Sequence, residues 1–570
     1  MKIFKNTKLV LIGILVIAFF LRIFQIDKVP VSLFGDELDL GYQAYSILHT
    51  GRDYYGNKMP LQFHSLAEYR TPLYLYSAVP TVALFGISPL GVRLPAVIFG
   101  VLGVWALYLL VKELTKRNDL ALVSAAVLAF NPWHLQYSRA GFEVTELLFF
   151  LIIGLYFFFK GLRSGKWLWL SVICLVLGPW IYSTAKLFIP LLMAFLFLVY
   201  RKEIFKLPKK YIVYGVIAGL VVGAPLLYST FKTPQRFDYI SVFSDPTIEP
   251  EIGTLRARDA AMRGEKGTGL NPTFIDKLFD NKITFEGKRI IDHYFQALSV
   301  DFLFRQGDPD PRQSPTGMGE FYKVEAIAMI AGIVLFFARK KESRKIKMFI
   351  IFWTLAGVFP AALTRDGGNH ATRLILILPP LVFLIAYGVT EGLKLFKGNY
   401  RRLAFGVYGI LFVFCFAMYV HNYYTHYPWD SERWWHAGYQ EAIQTTKKIQ
   451  GNYDRVVIST ANEPPWIFFA AWYEYNPAEW QKNFPIGNDV ELSGFGKVSH
   501  IDKFYFGSPS IGGVYDWGKV IDKKTLYVAS AKEVNVNLIM EPERTPKDLV
   551  LIKAIGYPSG EPAFYLFTGK

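Results

Sequence analysis

The chain reads as a polytopic α-helical membrane protein of about 11 transmembrane helices with a small C-terminal extracytoplasmic α/β domain. Three observations predict this class. Of 570 residues, 52% are hydrophobic and only 19% charged, whereas soluble domains carry roughly 25% charge. Uncharged apolar runs recur along the chain, each long enough, or nearly so, to cross about 30 Å of hydrocarbon at about 1.5 Å per residue. Lysines and arginines cluster in every second connection between these runs, the pattern that membrane insertion leaves.

The spans fall at 8–26, 92–112, 119–136, 143–160, 166–183, 185–200, 211–228, 322–338, 347–363, 373–393 and 403–421. Lys2, Lys5 and Lys8 precede the first span, and the run after them has no small-residue cleavage site, so it reads as a retained span. Basic clusters follow the second, fourth, sixth, eighth and tenth spans, which makes those loops and the N-terminus cytoplasmic. The segment 71–86 is apolar but holds Pro80 and several hydroxyls. As a span it would turn every later basic cluster outward, so it reads as a helix in the outer interface.

This divides the chain into a transmembrane part, 1–422, and an external domain, 423–570. The first external loop is 27–91, with juxtamembrane helices, and the long external loop is 229–321. In the external domain RVVIST, TLYVAS and AFYLFTG read as strands, and GYQEAIQTTKKIQG as a helix capped by Gly451. The net charge of +16 lies in short clusters between apolar runs, which argues against nucleic acid. Cys174 and Cys415 both sit in apolar runs, so no disulfide framework is implied. No internal repeat is evident.

The stretch VSLFGDELDLGYQAY places Asp36, Glu37 and Asp39 just past the first span. An acid at lipid depth is costly and is by default a functional candidate, with a solvated loop as the plain alternative. Arg70, Arg93, Arg139, Glu143, Lys186, His293, Arg305, Asp308, Arg365, Asp366, His370 and Arg373 fall on the same external face. Arg139 and Glu143 are four apart and would share a helix face. A guanidinium fork suits phosphate, and a phosphate held at headgroup level belongs to a lipid. A carboxylate near an acceptor hydroxyl serves as general base, and arginines stabilise charge on a leaving phosphate. The competing readings are snorkelling anchors for Arg93 and Arg373, a structural pair for Arg139 with Glu143, and a surface residue for His293.

The runs GDELDLGYQAYSILHTGRDYYGNKMPL, YRTPLYLY, FGISPLGVRLPAVIFG, NPWHLQYSRAGFE, GDPDPRQSPTGMGEFY and NHATRLILILPPL resemble, in that order, the protein O-mannosyltransferase and aminoarabinose transferase group of glycosyltransferase family 39. These are membrane enzymes of the C-type glycosyltransferase fold, and the likeness covers about residues 1–425. It implies inverting transfer of one sugar from a polyprenyl-phosphate donor to an acceptor hydroxyl on protein, glycolipid or cell-envelope glycan, at the outer face of the cell membrane. By that likeness Asp36 is the catalytic base and Glu37 its neighbour. Arg70, Arg93, Arg139 and Arg373 are the donor-phosphate candidates, with Glu143, His370 and Lys186 in support. Some relatives hold a divalent metal; Asp36, Glu37, His293 and His370 have the ligand chemistry, but no spacing signature requires one.

Two alternatives remain. An oligosaccharyltransferase is expected to carry a WWD-type motif, and WWHAG (434–438) lacks that acid. A lipid or sugar transporter is expected to show inverted repeats and midplane charges, and neither is evident.

Overall fold

The computed structural model describes residues 6–65, 68–232, 240–265 and 272–570. Lys2 and Lys5 of the first basic cluster lie outside them, as do parts of the loop 229–321. The membrane-side elements are α1 (Thr7–Ile23), α2 (Gly35–Thr50), the short strands β1 (Phe63–His64) and β2 (Tyr69–Arg70), α3 (Leu73–Phe85), α4 (Pro89–Thr115), α5 (Asn118–Phe130), α6 (Pro132–Ser138), α7 (Val144–Ser164), α8 (Leu168–Ile181), α9 (Ala185–Ile204) and α10 (Lys209–Lys232). In the long loop follow α11 (Ile248–Met262), α12 (Phe274–Phe279) and α13 (Lys282–Ala297). Then come α14 (Lys323–Ala338), α15 (Arg344–Ala362), α16 (Ala371–Gly392) and α17 (Gly398–Asp430).

A helix stands at each expected span. Among the described residues six are long and apolar enough to cross a membrane: α4, α7, α10, α15, α16 and α17. Others, such as α5 with 13 residues and α8 with 14, are shorter. The basic connections meet at one end of the bundle. Arg117 reaches Glu391 at 2.6 Å, Arg163 reaches Glu113 at 2.8 Å, and Lys345 reaches Glu203 at 2.5 Å. At the core, α14 and α16 touch backbone to backbone. A Cβ at Gly332 would lie 1.9 Å from the Leu384 carbonyl oxygen, and one at Gly388 would lie 1.8 Å from that of Ala328. Small residues are what permit such an approach between membrane helices.

Helix α3 has 13 residues, about 20 Å of rise. Both its ends stay at the polar end of the bundle. Thr71 donates to the carbonyl of Ile181 at 2.6 Å, and a Cβ at Gly86 would lie 4.0 Å from Glu474 of the C-terminal part.

The C-terminal part is built from α18 (Tyr439–Ile449), β3 (Arg455–Ile458), α19 (Trp466–Tyr473), α20 (Pro477–Lys482), β4 (Asp489–Leu492), β5 (Gly496–Ile501), β6 (Phe504–Phe506), β7 (Thr525–Ser530), β8 (Leu549–Gly556) and β9 (Pro562–Gly569). Its sheet has the order β4-β5-β6-β3-β7-β9-β8, with β3 parallel to β6 and β7 and the outer pairs antiparallel. The three segments expected to be strands are β3, β7 and β9. The expected cap at Gly451 is a correction: α18 ends at a right-handed Gln450 and runs into a 3-10 turn over Gln450–Asn452, so no left-handed glycine is needed.

The first loop and this sheet do not sit apart. Leu38, Tyr42, Tyr74 and Ala78 of α2 and α3 share one apolar core with Trp466, Phe468, Trp480 and Phe564. The Tyr42 hydroxyl donates to the Tyr475 carbonyl at 3.0 Å, and the Gln481 amide nitrogen lies 2.9 Å from Ser46, Thr50 and Asp53. The C-terminal part therefore clamps the helix that carries Asp36.

Candidate active site

Asp36 and Glu37 stand in the first turn of α2, where the helix dipole favours an acid. Consecutive positions on a helix point about 100° apart, and here that separates two roles. The Asp36 side chain is 51% exposed and meets Arg70 of β2 at 2.5 Å. The Glu37 side chain is fully buried and takes a two-pronged grip from Arg93, at 2.8 and 2.9 Å, plus the Gly141 amide at 2.6 Å. A Cβ at Gly141 would crowd Glu37 Cγ at 3.1 Å, which explains the glycine in SRAGFE.

Arg93 and Arg139 correct the expectation of phosphate contact. Arg93 Nε and Nη2 hold Glu37, while Nη1 and Nη2 also donate to the carbonyls of Ile26, Pro30 and Ser32. Arg139 donates to the carbonyls of Leu21, Arg22, Gln25 and Val29 and to the Tyr423 hydroxyl, with Tyr423 and Tyr424 rings 5.3 Å away. Each guanidinium has five N–H donors, and all are spent. Together the two arginines satisfy seven carbonyls, two in the last turn of α1 and five in the irregular segment after it. Non-helical backbone near hydrocarbon persists only when its polar groups are met by protein. Nor do Arg139 and Glu143 share a helix face, because α6 ends before Arg139 and α7 begins after Glu143.

The groups that do gather around Asp36 are Arg70, Asp39, Glu143 and Arg312. Burial works against the charge of Arg70, but Asp36, then Asp39, Glu68 and Glu143, hold its pKa well above the ordinary arginine value. Asp39, which a sequence reader would leave in solvent, is fully buried. It accepts from Tyr54 at 2.6 Å and Ser65 at 2.9 Å, and lies 3.8 Å from Arg70 Nε. Burial pushes its pKa up to about 6 against the pull of Arg70 and the two hydroxyls.

Arg312 is a candidate site arginine that sequence reasoning missed. It lies in the motif GDPDPRQSPTGMGEFY, whose charges read equally well as loop-folding. Asp310 holds one edge of its guanidinium at 2.7 Å, and the rings of Phe34 and Trp434 lie 5.4 and 5.7 Å away. Burial opposes its charge, while Asp310, then Asp36 and Glu463, raise its pKa above the ordinary value. Its Nη1 makes no protein hydrogen bond among the described residues. Glu463 of the C-terminal part pairs with His436 at 2.9 Å, so WWHAG puts a histidine on this space where the WWD pattern has an acid.

Arg373 donates to Thr364 at 2.7 Å and pairs with Asp366. His370 stands 3.8 Å from Asp308, whose carboxyl burial pushes up to about 7. Lys186 is half-buried in the first turn of α9. His293 is buried, its Nδ1 2.9 Å from the Ala362 carbonyl, so it is no surface residue. Among the described residues no group containing Glu37, His293 or His370 brings three ligand atoms within 4.8 Å of one another; the one such group is Asp259, Asp276 and Asp280, of which Asp276 is gripped by Arg263.

Fold and site define a helical membrane protein whose charged residues converge at one end beneath a mixed sheet. The resemblance drawn from the motifs holds. Residues 69–228 match the family described as dolichyl-phosphate-mannose-protein mannosyltransferase. The putative mannosyltransferase YkcB of Bacillus subtilis is 33% identical over 95 residues, 17% of this chain and 13% of that protein. The match thus spans about an eighth of the curated relative. The oligosaccharyltransferase of Archaeoglobus fulgidus in its apo form superposes with a TM-score of 0.50 at 15% identity, over 93% of this chain and 70% of that chain. The chain has that fold.

Proposed function

We propose that this protein is a membrane glycosyltransferase that moves a single sugar from a polyprenyl-phosphate donor to an acceptor hydroxyl with inversion, on the extracytoplasmic face of the cell membrane. The observation that carries the reading is the exposed Asp36 carboxylate in contact with Arg70, with Arg312 facing the same space. The family matching residues 69–228 supports a lipid-phosphate sugar as donor.

The acceptor hydroxyl gives its proton to Asp36 as its oxygen attacks the anomeric carbon. The bond to the phosphate oxygen breaks on the opposite face, which inverts the centre, and the phosphate leaves on its lipid. Arg70 and the free edge of Arg312 meet the charge that develops on it. The ordinary test is purified protein incubated with a panel of radiolabelled polyprenyl-phosphate sugars. Label transferred to an acceptor supports the reading; hydrolysis or movement of intact lipid without a new glycosidic bond overturns it.

Substituting Arg312 by Ala is expected to raise donor KM about tenfold or more with little change for the acceptor, since hydrogen bonds to charged groups are worth about 1.5–3 kcal/mol. Equal donor KM values would remove Arg312 from the phosphate. Asp39 sets a pH limb. Below about pH 6 it takes up a proton and its pull on Arg70 fades, so the rate falls as pH falls through that value. Asp39→Asn is expected to lower the rate and flatten the limb, read from kcat/KM between pH 5 and about 8.

A further inference from the structure

Helices α12 and α13 of the long loop turn large apolar side chains away from the protein. In α12, FIDKLF, Asp276 faces inward and is gripped by Arg263, while Phe274, Ile275, Leu278 and Phe279 are 53–78% exposed. In α13, Ile283, Ile291 and Phe295 are 57–81% exposed. At about 100° per residue these three fall within roughly 120° of one another. The helix thus has three strips. Glu286, His293 and Ala297 are buried against the protein, Lys288 and Asp292 stand in the open beyond Phe295, and the apolar strip lies between them. With Lys277, Lys282 and Lys288 exposed along it, this is the pattern of a segment lying in a membrane interface. At about 200 Å² for a fully open large side chain, the seven residues leave on the order of 1,000 Å² of apolar surface open. The largest patch on a typical soluble monomer is roughly 300–600 Å².

Helix α15 fixes the depth of the strip. His293 Nδ1 lies 2.9 Å from the carbonyl of Ala362, the last residue of α15. The Tyr294 hydroxyl donates at 3.1 Å to the carbonyl of Leu355, about 10 Å further down that helix. Helix α15 is long and apolar enough to span, and Ile351 and Leu355 are about half exposed on its outside. Its other end is the basic one, where Lys345 meets Glu203. We infer that α12 and α13 lie in the lipid of the leaflet on the Asp36 side, with the apolar strip among acyl chains and Lys288 and Asp292 toward water. Lipid is the occupant because the strip continues, through Tyr294, onto the outside of a spanning helix below its end. An aromatic ring with a hydroxyl at its tip suits that depth. The loop expected to stand free of the bilayer is then seated in it. Helix α13 runs on through the turn Asp301–Arg305 into the segment that carries Arg312, so the seat holds that segment at the level of a lipid headgroup. The inference does not depend on the transferase reading.

The test uses the full-length protein in phospholipid nanodiscs, with Cys174 and Cys415, both free thiols, replaced by alanine and one spin-labelled cysteine at a time. Leu278→Cys, Ile283→Cys and Phe295→Cys probe the apolar face, Asp292→Cys probes the water side, and Ile351→Cys supplies the value for the outside of a spanning helix. Power saturation compares relaxation by oxygen, which partitions into acyl chains, with relaxation by a water-soluble nickel chelate. Labels at 278, 283 and 295 are expected to resemble the one at 351, with oxygen favoured several-fold, and the label at 292 to show the reverse order. Nickel-dominated relaxation at 278, 283 and 295 overturns the inference. So does shielding of those labels from both reagents, which puts a protein partner over the face. The three positions lie on two helices, so one variant that fails to fold still leaves the others to decide.

Discussion

Asp36→Asn is expected to lower transfer by about 10²–10⁴-fold while leaving folding and donor binding intact. Asparagine keeps the shape and the contact with Arg70 but takes no proton. The side chain is half-exposed at the start of α2, and Arg70, which pairs with it, also lies near Asp39 and Glu68. Losing the charge therefore leaves Arg70 compensated, and the melting temperature is expected to stay within about a degree or two of the parent. The measurement is kcat with a labelled donor, beside donor Kd and thermal unfolding in the same detergent. A variant that turns over at the parent rate removes Asp36 from the role of base, and one that no longer binds donor makes it a binding residue instead.

Arg93→Ala is expected to act on the fold. Its guanidinium neutralises a fully buried Glu37 and collects the carbonyls of Ile26, Pro30 and Ser32. Breaking a buried ion pair by removing one partner costs about 3–5 kcal/mol, because the other charge is left without compensation. The orphaned carbonyls add to that cost. The expected outcome is poor recovery in detergent and a melting temperature lowered by several degrees. Arg93→Ala/Glu37→Gln removes the stranded charge and is expected to recover part of the loss. A stable Arg93→Ala protein whose donor KM alone is raised would return Arg93 to the phosphate.

The same contrast shows what could be read without coordinates. Apolar runs and alternating basic loops report on the solvent each segment meets, and lipid imposes that requirement segment by segment. The helices at each expected span and the three strands of the C-terminal part follow from it. The acids of GDELD were legible as a candidate site because charge beside hydrocarbon is costly. Their division of labour was not. Asp36, Glu37 and Asp39 look alike in sequence, yet one is exposed, one is locked to Arg93 and one is buried under Tyr54 and Ser65. Their directions depend on which distant chains pack over α2, and those include Trp466 and Phe468, more than 400 residues further on.

By itself, then, the order of residues determined the membrane class and the grouping of the basic loops at one end of the bundle, since each depends on local hydropathy and on loop charge. Only the tertiary structure decided which arginines are free for a ligand. A guanidinium has five donors, and once protein acceptors take all of them none is left for a lipid phosphate. Arg93 and Arg139 spend theirs on Glu37, on Tyr423 and on the backbone at the end of α1 and just after it, and Arg312, held on one edge by Asp310, kept an edge for the site.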